Sequence, residues 1–82
     1  MTVLEIFIFR GEALVGSRVF SDTSVTVGRG SASMLVLDDR QVSRLHATIT
    51  LGDVVELTDA GSSNGTRVRD ARLAAGERVT LR

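Results

Sequence analysis

Ala47-Thr48-Ile49-Thr50-Leu51, followed by Gly52-Asp53, decides the fold class of this chain. Its odd positions are apolar and its even positions are threonine, the period of two expected of a β-strand with one face packed and the other wet. The link Gly52-Asp53 then predicts a tight hairpin into a return strand over Val54 to Leu57. Working outward, the same short alternating signal recurs at Val3 to Phe9, Ala13 to Phe20, Ser24 to Val27, Leu35 to Leu37, Thr66 to Val68 and Arg78 to Leu81. Turn formers separate these runs: Gly11, Gly16, Ser21-Asp22, Gly28 to Ser33, Gly61 to Gly65 and Gly76. Helical periodicity is not sustained over three turns anywhere, and regularly spaced short strands predict an all-β sandwich or barrel.

The chain has 82 residues, so a single domain spanning 1–82 with one thin core is expected. Hydrophobic residues make up 43% and charged residues 24%, which places it among globular chains rather than disordered ones. The segment Met1 to Arg10 alternates, carries Glu5 and lacks a basic leader, and a cytoplasmic location is the expectation. Cysteine is absent and histidine occurs once, which excludes a disulfide framework and any thiolate or multi-histidine metal site. Ten basic residues balance ten acidic ones, so binding dominated by nucleic-acid counterion release is not expected and any anion site must be local. All ten basic residues are arginine, a bias that a GC-rich coding genome explains as readily as bidentate anion recognition does.

Two loop regions are richer in polar groups than their length requires, and function is sought there: Gly28 to Ser33 with its sequel Asp38 to His46, and Asp59 to Thr66. Arg29, at the end of a strand, offers a planar fork suited to phosphate oxygens, although taken alone it reads as a solvated surface arginine. Ser43 and Arg44 can both donate to an anion, with a turn or cap role the competing reading for Ser43. His46 enters a strand and reads as a hydrogen-bonded structural residue. In Gly61-Ser62-Ser63-Asn64-Gly65-Thr66 the Asn64-Gly65 pair suits a hairpin turn, which leaves Ser62, Ser63 and Thr66 unexplained. Asn64 both donates and accepts, as register-fixing on an extended peptide requires. A hydrolase built from Ser43 or Ser63 with His46 and Asp59 lacks a nucleophile-elbow motif, and no enzymatic activity is expected.

Taken together, Gly28-Arg29, then Ser43-Arg44-Leu45-His46-Ala47, then Asp59, then Gly61 to Thr66, in this order and spacing, resemble the forkhead-associated (FHA) domain over about Val25 to Leu81. The resemblance implies an all-β, FHA-like β-sandwich of short antiparallel strands whose loops at one end bind phosphothreonine on a partner protein. By that resemblance Arg29 and Ser43 would hold the phosphate, Arg44 would help there or on the flanking peptide, and Ser63 would line the phosphothreonine site. Asn64 would bond the peptide main chain, while Gly28, His46, Gly65 and Thr66 would keep the loops in shape. The implied role is signalling or assembly through phosphopeptide recognition, with no cofactor or metal. The alternative is a phosphate-independent assembly module of the same fold that uses its open sheet edge. Three departures from the family pattern stand out. Met34 takes the place of an acidic residue before the short apolar strand, which puts that loop's anchoring in question. Arg69-Asp70 replaces an Asn-Gly turn and predicts a different or longer connection. The family's last C-terminal strand is missing, so a fragment of a longer protein is expected, with an edge open to dimerisation or strand exchange.

Overall fold

A computed structural model describes residues 3–69 and 71–81, and these form nine strands with no helix. They are β1 (Leu4–Arg10), β2 (Ala13–Phe20), β3 (Ser24–Gly28), β4 (Leu35–Val36), β5 (Ala47–Leu51), β6 (Val55–Asp59), β7 (Thr66–Val68), β8 (Ala71–Leu73) and β9 (Arg78–Leu81). The fold is all-β, as the alternation predicts. One layer is a five-stranded sheet in the order β4-β3-β5-β6-β9. Over it lies the β1-β2 hairpin, whose Leu4, Ile6, Ile8 and Phe20 pack on a core of Val25, Leu35, Ile49 and Leu51. A second hairpin, β7-β8, completes the set.

β5 is the centre of the sheet and carries out the pattern of its sequence. Ala47, Ile49 and Leu51 are buried, while Thr50 faces solvent. The hairpin that follows differs in detail from expectation. Leu51 pairs with Val55, so the connection is Gly52-Asp53-Val54 and the return strand starts one residue late. Gly52 N–H closes that loop on the Val54 carbonyl (3.1 Å).

Two further connections depart from the sequence reading. β4 runs parallel to β3, with Val27 opposite Leu35, because the loop from Arg29 to Met34 folds back beside its own strand before the chain advances again. That loop is anchored without an acidic residue: Met34 N–H donates to Thr26 Oγ1 (2.9 Å) and Ser33 N–H to the Gly30 carbonyl (3.0 Å). The strand β8 was not expected, and it forms because the turn after β7 is short. Val68 pairs with Ala71, so only residues 69 and 70 lie between them. Arg69 adopts φ 55° to make the turn, a left-handed conformation that costs a non-glycine residue about 1 kcal/mol. Asp70, named with Arg69 in the sequence reading, lies outside the described residues, as does Arg82.

Among the described strands, β1 pairs only with β2 and β7 only with β8. A groove of about 340 Å³ lies between them, lined by Ile6, Ile8, Leu35, Leu37 and Thr66 among others. No helix among the described residues is long and apolar enough to cross a membrane.

Candidate functional site

The loops that follow β3, β4 and β6 meet at one end of the sandwich, and backbone hydrogen bonds fix them there. Arg29 N–H donates to the Ser43 carbonyl (2.9 Å), and Gly30 N–H donates to the Arg44 carbonyl (3.0 Å). This approach requires glycine at position 28: a Cβ there would overlap the Arg44 carbonyl oxygen and come within 2.8 Å of Ser33 Oγ. Ser33 Oγ itself donates to the Arg44 carbonyl (3.2 Å).

His46 joins the two polar loops. Its Nδ1 accepts Ser43 N–H (3.0 Å), so the neutral ring carries its hydrogen on Nε2 and donates it to the Gly65 carbonyl (2.9 Å). Its backbone is equally committed, donating to the Val27 carbonyl (2.8 Å) and accepting from Ala60 N–H (3.0 Å).

Asp59 organises the loop that follows it. The residue is fully buried. Its Oδ1 accepts Gly61 N–H and Ser62 N–H, both at 2.8 Å, and its Oδ2 accepts the hydroxyls of Ser62 (2.6 Å) and Thr66 (2.7 Å). Burial pushes the carboxyl pKa upward, but the hydroxyl donors Ser62 and Thr66 and the two amides outweigh it. The net result holds Asp59 well below the ordinary carboxylate range. Every Asp59 oxygen is matched to donors, which is how a buried carboxylate without a cationic partner persists.

Within this frame, the side chains singled out in the sequence fall on one rim. Arg29 Nε donates to the Val42 carbonyl (3.0 Å), which aims the rest of its exposed guanidinium. Ser43 Oγ accepts Ser63 N–H (2.9 Å), leaving the hydroxyl hydrogen to be donated elsewhere. Asn64 Nδ2 donates to the Gln41 carbonyl (2.9 Å) and ties the third loop to the second. Arg44 is exposed beside Ser43, with no ion-pair partner among the described residues. Gly65 holds φ 80°, and β7 pairs with β8 rather than β6, so Asn64-Gly65 is not the hairpin turn its sequence suggests. The arrangement is a polar rim rather than a cleft. A concavity of about 860 Å³ lies beside the β1-β2 turn, lined by Phe9, Arg10, Arg18 and Asp38 among others, and reaches the rim at Gln41 and Val42.

A hydrolytic triad does not assemble. His46 spends both ring nitrogens on backbone groups, and Asp59 is bonded to Ser62, Thr66 and Gly61 rather than to the imidazole. No group of three metal-ligating side chains occurs among the described residues. Three contributors escaped the sequence reading. Gln41 and Val42 act through their carbonyls, which no side-chain pattern signals. Arg72 donates to the Asn64 carbonyl (3.1 Å) from a strand the sequence did not announce.

Comparison with known proteins supplies a family. The model of the FHA domain matches residues 25–82. FHA domain-containing protein FhaB of Mycobacterium tuberculosis is 37% identical over 71 residues, covering 84% of this chain but only 46% of that protein. The chain thus spans about half the length of the curated relative it matches. The FhaA FHA domain, solved in complex with the intracellular domain of another protein, superposes with a TM-score of 0.81 at 29% identity, covering 99% of this chain and 84% of that one. Mycobacterium tuberculosis EmbR, solved with a low affinity phosphopeptide, gives a TM-score of 0.74 at 32% identity, covering 82% of this chain and 17% of EmbR.

Proposed function

This chain belongs to the FHA domain family, and from that premise we propose that it is a phosphopeptide-binding module that reads phosphothreonine on a partner protein. One observation carries the reading: the Arg29 guanidinium is aimed by its Nε bond to the Val42 carbonyl, Arg29 N–H is bonded to the Ser43 carbonyl, and the Ser43 hydroxyl is held by Ser63 N–H with its own hydrogen left to donate. Such a pair is organised before any ligand arrives, with a charged fork and a hydroxyl hydrogen left to donate. A phosphothreonine brings nearly two negative charges and three acceptor oxygens. Each charge-assisted bond made to it contributes roughly 1.5 to 3 kcal/mol net. In this reading Arg44 and Ser63 extend the phosphate site, and the Asn64 carboxamide, which donates to the Gln41 carbonyl, bonds the peptide main chain. Gly28, His46, Gly65 and Thr66 act on the loops rather than on the ligand.

The preference for threonine over serine rests on family membership, and an FHA domain described for phosphothreonine-dependent interactions superposes on all of this chain with a TM-score of 0.79 at 28% identity. The role that follows is docking in signalling or assembly inside the cell, where kinases write the mark, as one module of a longer protein. Titrating the chain by calorimetry against phosphothreonine, phosphoserine and unphosphorylated peptides tests the reading. Phosphothreonine peptides alone should bind, and Arg29→Ala should weaken them at least tenfold, roughly the effect of losing one charge-assisted donor. Because Arg29 is exposed, its replacement should leave the melting temperature nearly unchanged. Equal binding by the variant, or binding indifferent to phosphate, refutes the assignment and leaves the phosphate-independent assembly reading.

A further inference from the structure

Asn64 can serve a bound peptide only where the backbone beneath it is fixed, and the residue after it makes that difficult. Gly65 holds φ 80°, and glycine takes negative φ about as readily, so neighbouring contacts must select the observed turn. Two of them act on consecutive peptide planes. From within, His46 Nε2 donates to the Gly65 carbonyl (2.9 Å) and holds the plane that joins Gly65 to Thr66. From outside, the Arg72 guanidinium donates to the Asn64 carbonyl (3.1 Å) and holds the plane that joins Asn64 to Gly65. The guanidinium also covers the glycine: a Cβ on Gly65 would come within 2.5 Å of Arg72 Nε and 3.2 Å of its central carbon. By exposure alone Arg72 would pass for a solvated surface arginine. Its place on the β7-β8 hairpin favours the contact instead. Arg67 lies directly opposite it, and two like charges across a ladder repel, which turns the Arg72 guanidinium along the hairpin toward Asn64.

We propose that Arg72 is a positioning residue of the peptide site: it fixes the backbone of Asn64, and through the Asn64 carboxamide the placement of the bound main chain, without touching the ligand. The inference rests on the phosphopeptide reading and adds to it a residue from a strand outside the binding loops. It divides the site in two. Arg29 and Ser43 are organised by the Val42 carbonyl and Ser63 N–H, so the phosphate should be held whether or not Arg72 is present. Asn64 keeps its side-chain bond to the Gln41 carbonyl, so loss of Arg72 leaves the carboxamide tethered but frees its backbone to turn at Gly65.

Calorimetry with a phosphothreonine peptide of neutral flanks, beside an NMR titration with inorganic phosphate followed at the Ser43 amide, separates the two halves. Arg72→Met keeps an aliphatic stem and removes the fork. It should weaken the peptide about three- to tenfold, as loss of an exposed charge-assisted bond does, while phosphate affinity and melting temperature stay unchanged. Arg72→Lys retains the charge and a donor but cannot lie flat over Gly65, and its peptide affinity should fall between the two. In an Asn64→Ala background Arg72→Met should cost nothing further, because the group through which it acts is gone. The carboxamide resonances of Asn64 should shift in the unliganded Arg72→Met protein. Peptide affinity that survives Arg72→Met, an equal loss for peptide and inorganic phosphate, or a full additional loss on top of Asn64→Ala overturns the positioning role and leaves the phosphothreonine reading standing. Failure of the intact chain to bind the phosphopeptide removes both.

Discussion

The loop end and the β1-β2 hairpin of this molecule are built on opposite terms. At the loop end the buried and half-buried polar groups are held by directed bonds: Asp59 alone accepts four hydrogen bonds, and His46 bridges two loops with both ring nitrogens. On the hairpin the outward face is apolar and bare, with Phe7, Phe9, Leu14 and Val19 all more than half exposed. The register explains the patch. Leu4, Ile6 and Ile8 face the core, so the alternate positions of β1 face away, and they too are mostly apolar. In this small domain, local order comes from directed polar bonds more than from apolar bulk. A thin core cannot hold long loops by packing, so the loops are held by a buried carboxylate and an imidazole.

Removing a carboxylate should therefore do more damage here than removing an exposed aromatic. Asp59→Ala should be the most costly change. It strands two amides and two hydroxyls at a part-buried site, and a loss of roughly 3 to 5 kcal/mol in urea denaturation is expected, enough to leave so small a domain largely unfolded. The same residue sets the acid limb of stability. Because the native carboxyl titrates below its unfolded value of about 3.9, its contribution is complete above that pH and is lost as pH falls toward the native value. The intact chain should therefore weaken below about pH 4, with a slope that a refoldable Asp59→Asn protein does not share.

Gly28→Ala comes next. Its methyl would overlap the Arg44 carbonyl, which is backbone and already fixed by Gly30 N–H and Ser33 Oγ, so the loop must shift as a whole. A cost of about 2 to 3 kcal/mol is expected, read as a fall in melting temperature of roughly 10 °C or more. Phosphopeptide affinity should fall with it, because the same shift moves Ser43. Undiminished stability would mean that the loop accommodates the methyl and that its geometry is less fixed than the hydrogen bonds imply.

How far the sequence announced each region follows from the same contrast. The central strand β5 was legible because Ala47 to Leu51 alternate cleanly, and burial follows that alternation. The polar loops were legible as a set because hydroxyls, a carboxamide and arginines crowd connections too short to need them. What was hidden lies in the backbone and in local strain. The carbonyls of Gln41 and Val42 carry no side-chain signature, and β8 could not be seen because its turn forces Arg69 to φ 55°, where sequence rules expect glycine or asparagine. Asp59 stood out in sequence as an acidic residue at a strand end, but whether it catalyses, binds or braces depends on which donors surround it. Only the fold brings Ser62 and Thr66 to the same oxygen.

The smallest effect offers the sharpest test of the comparison. Phe9 is 59% exposed and pairs across the hairpin with Leu14, so Phe9→Thr forfeits part of one cross-strand contact and little burial. A cost below about 1 kcal/mol is expected in dilute solution, several times less than for Asp59→Ala despite the larger side chain removed. Measuring the urea midpoint at two protein concentrations decides what the bare face is. A small cost that does not change with concentration means that the face is solvated and the contrast holds. A cost of several kcal/mol that grows with concentration means that a second copy covers the face in solution. In that case apolar bulk stabilises this hairpin after all, and the difference between the two regions lies in which partner each one needs.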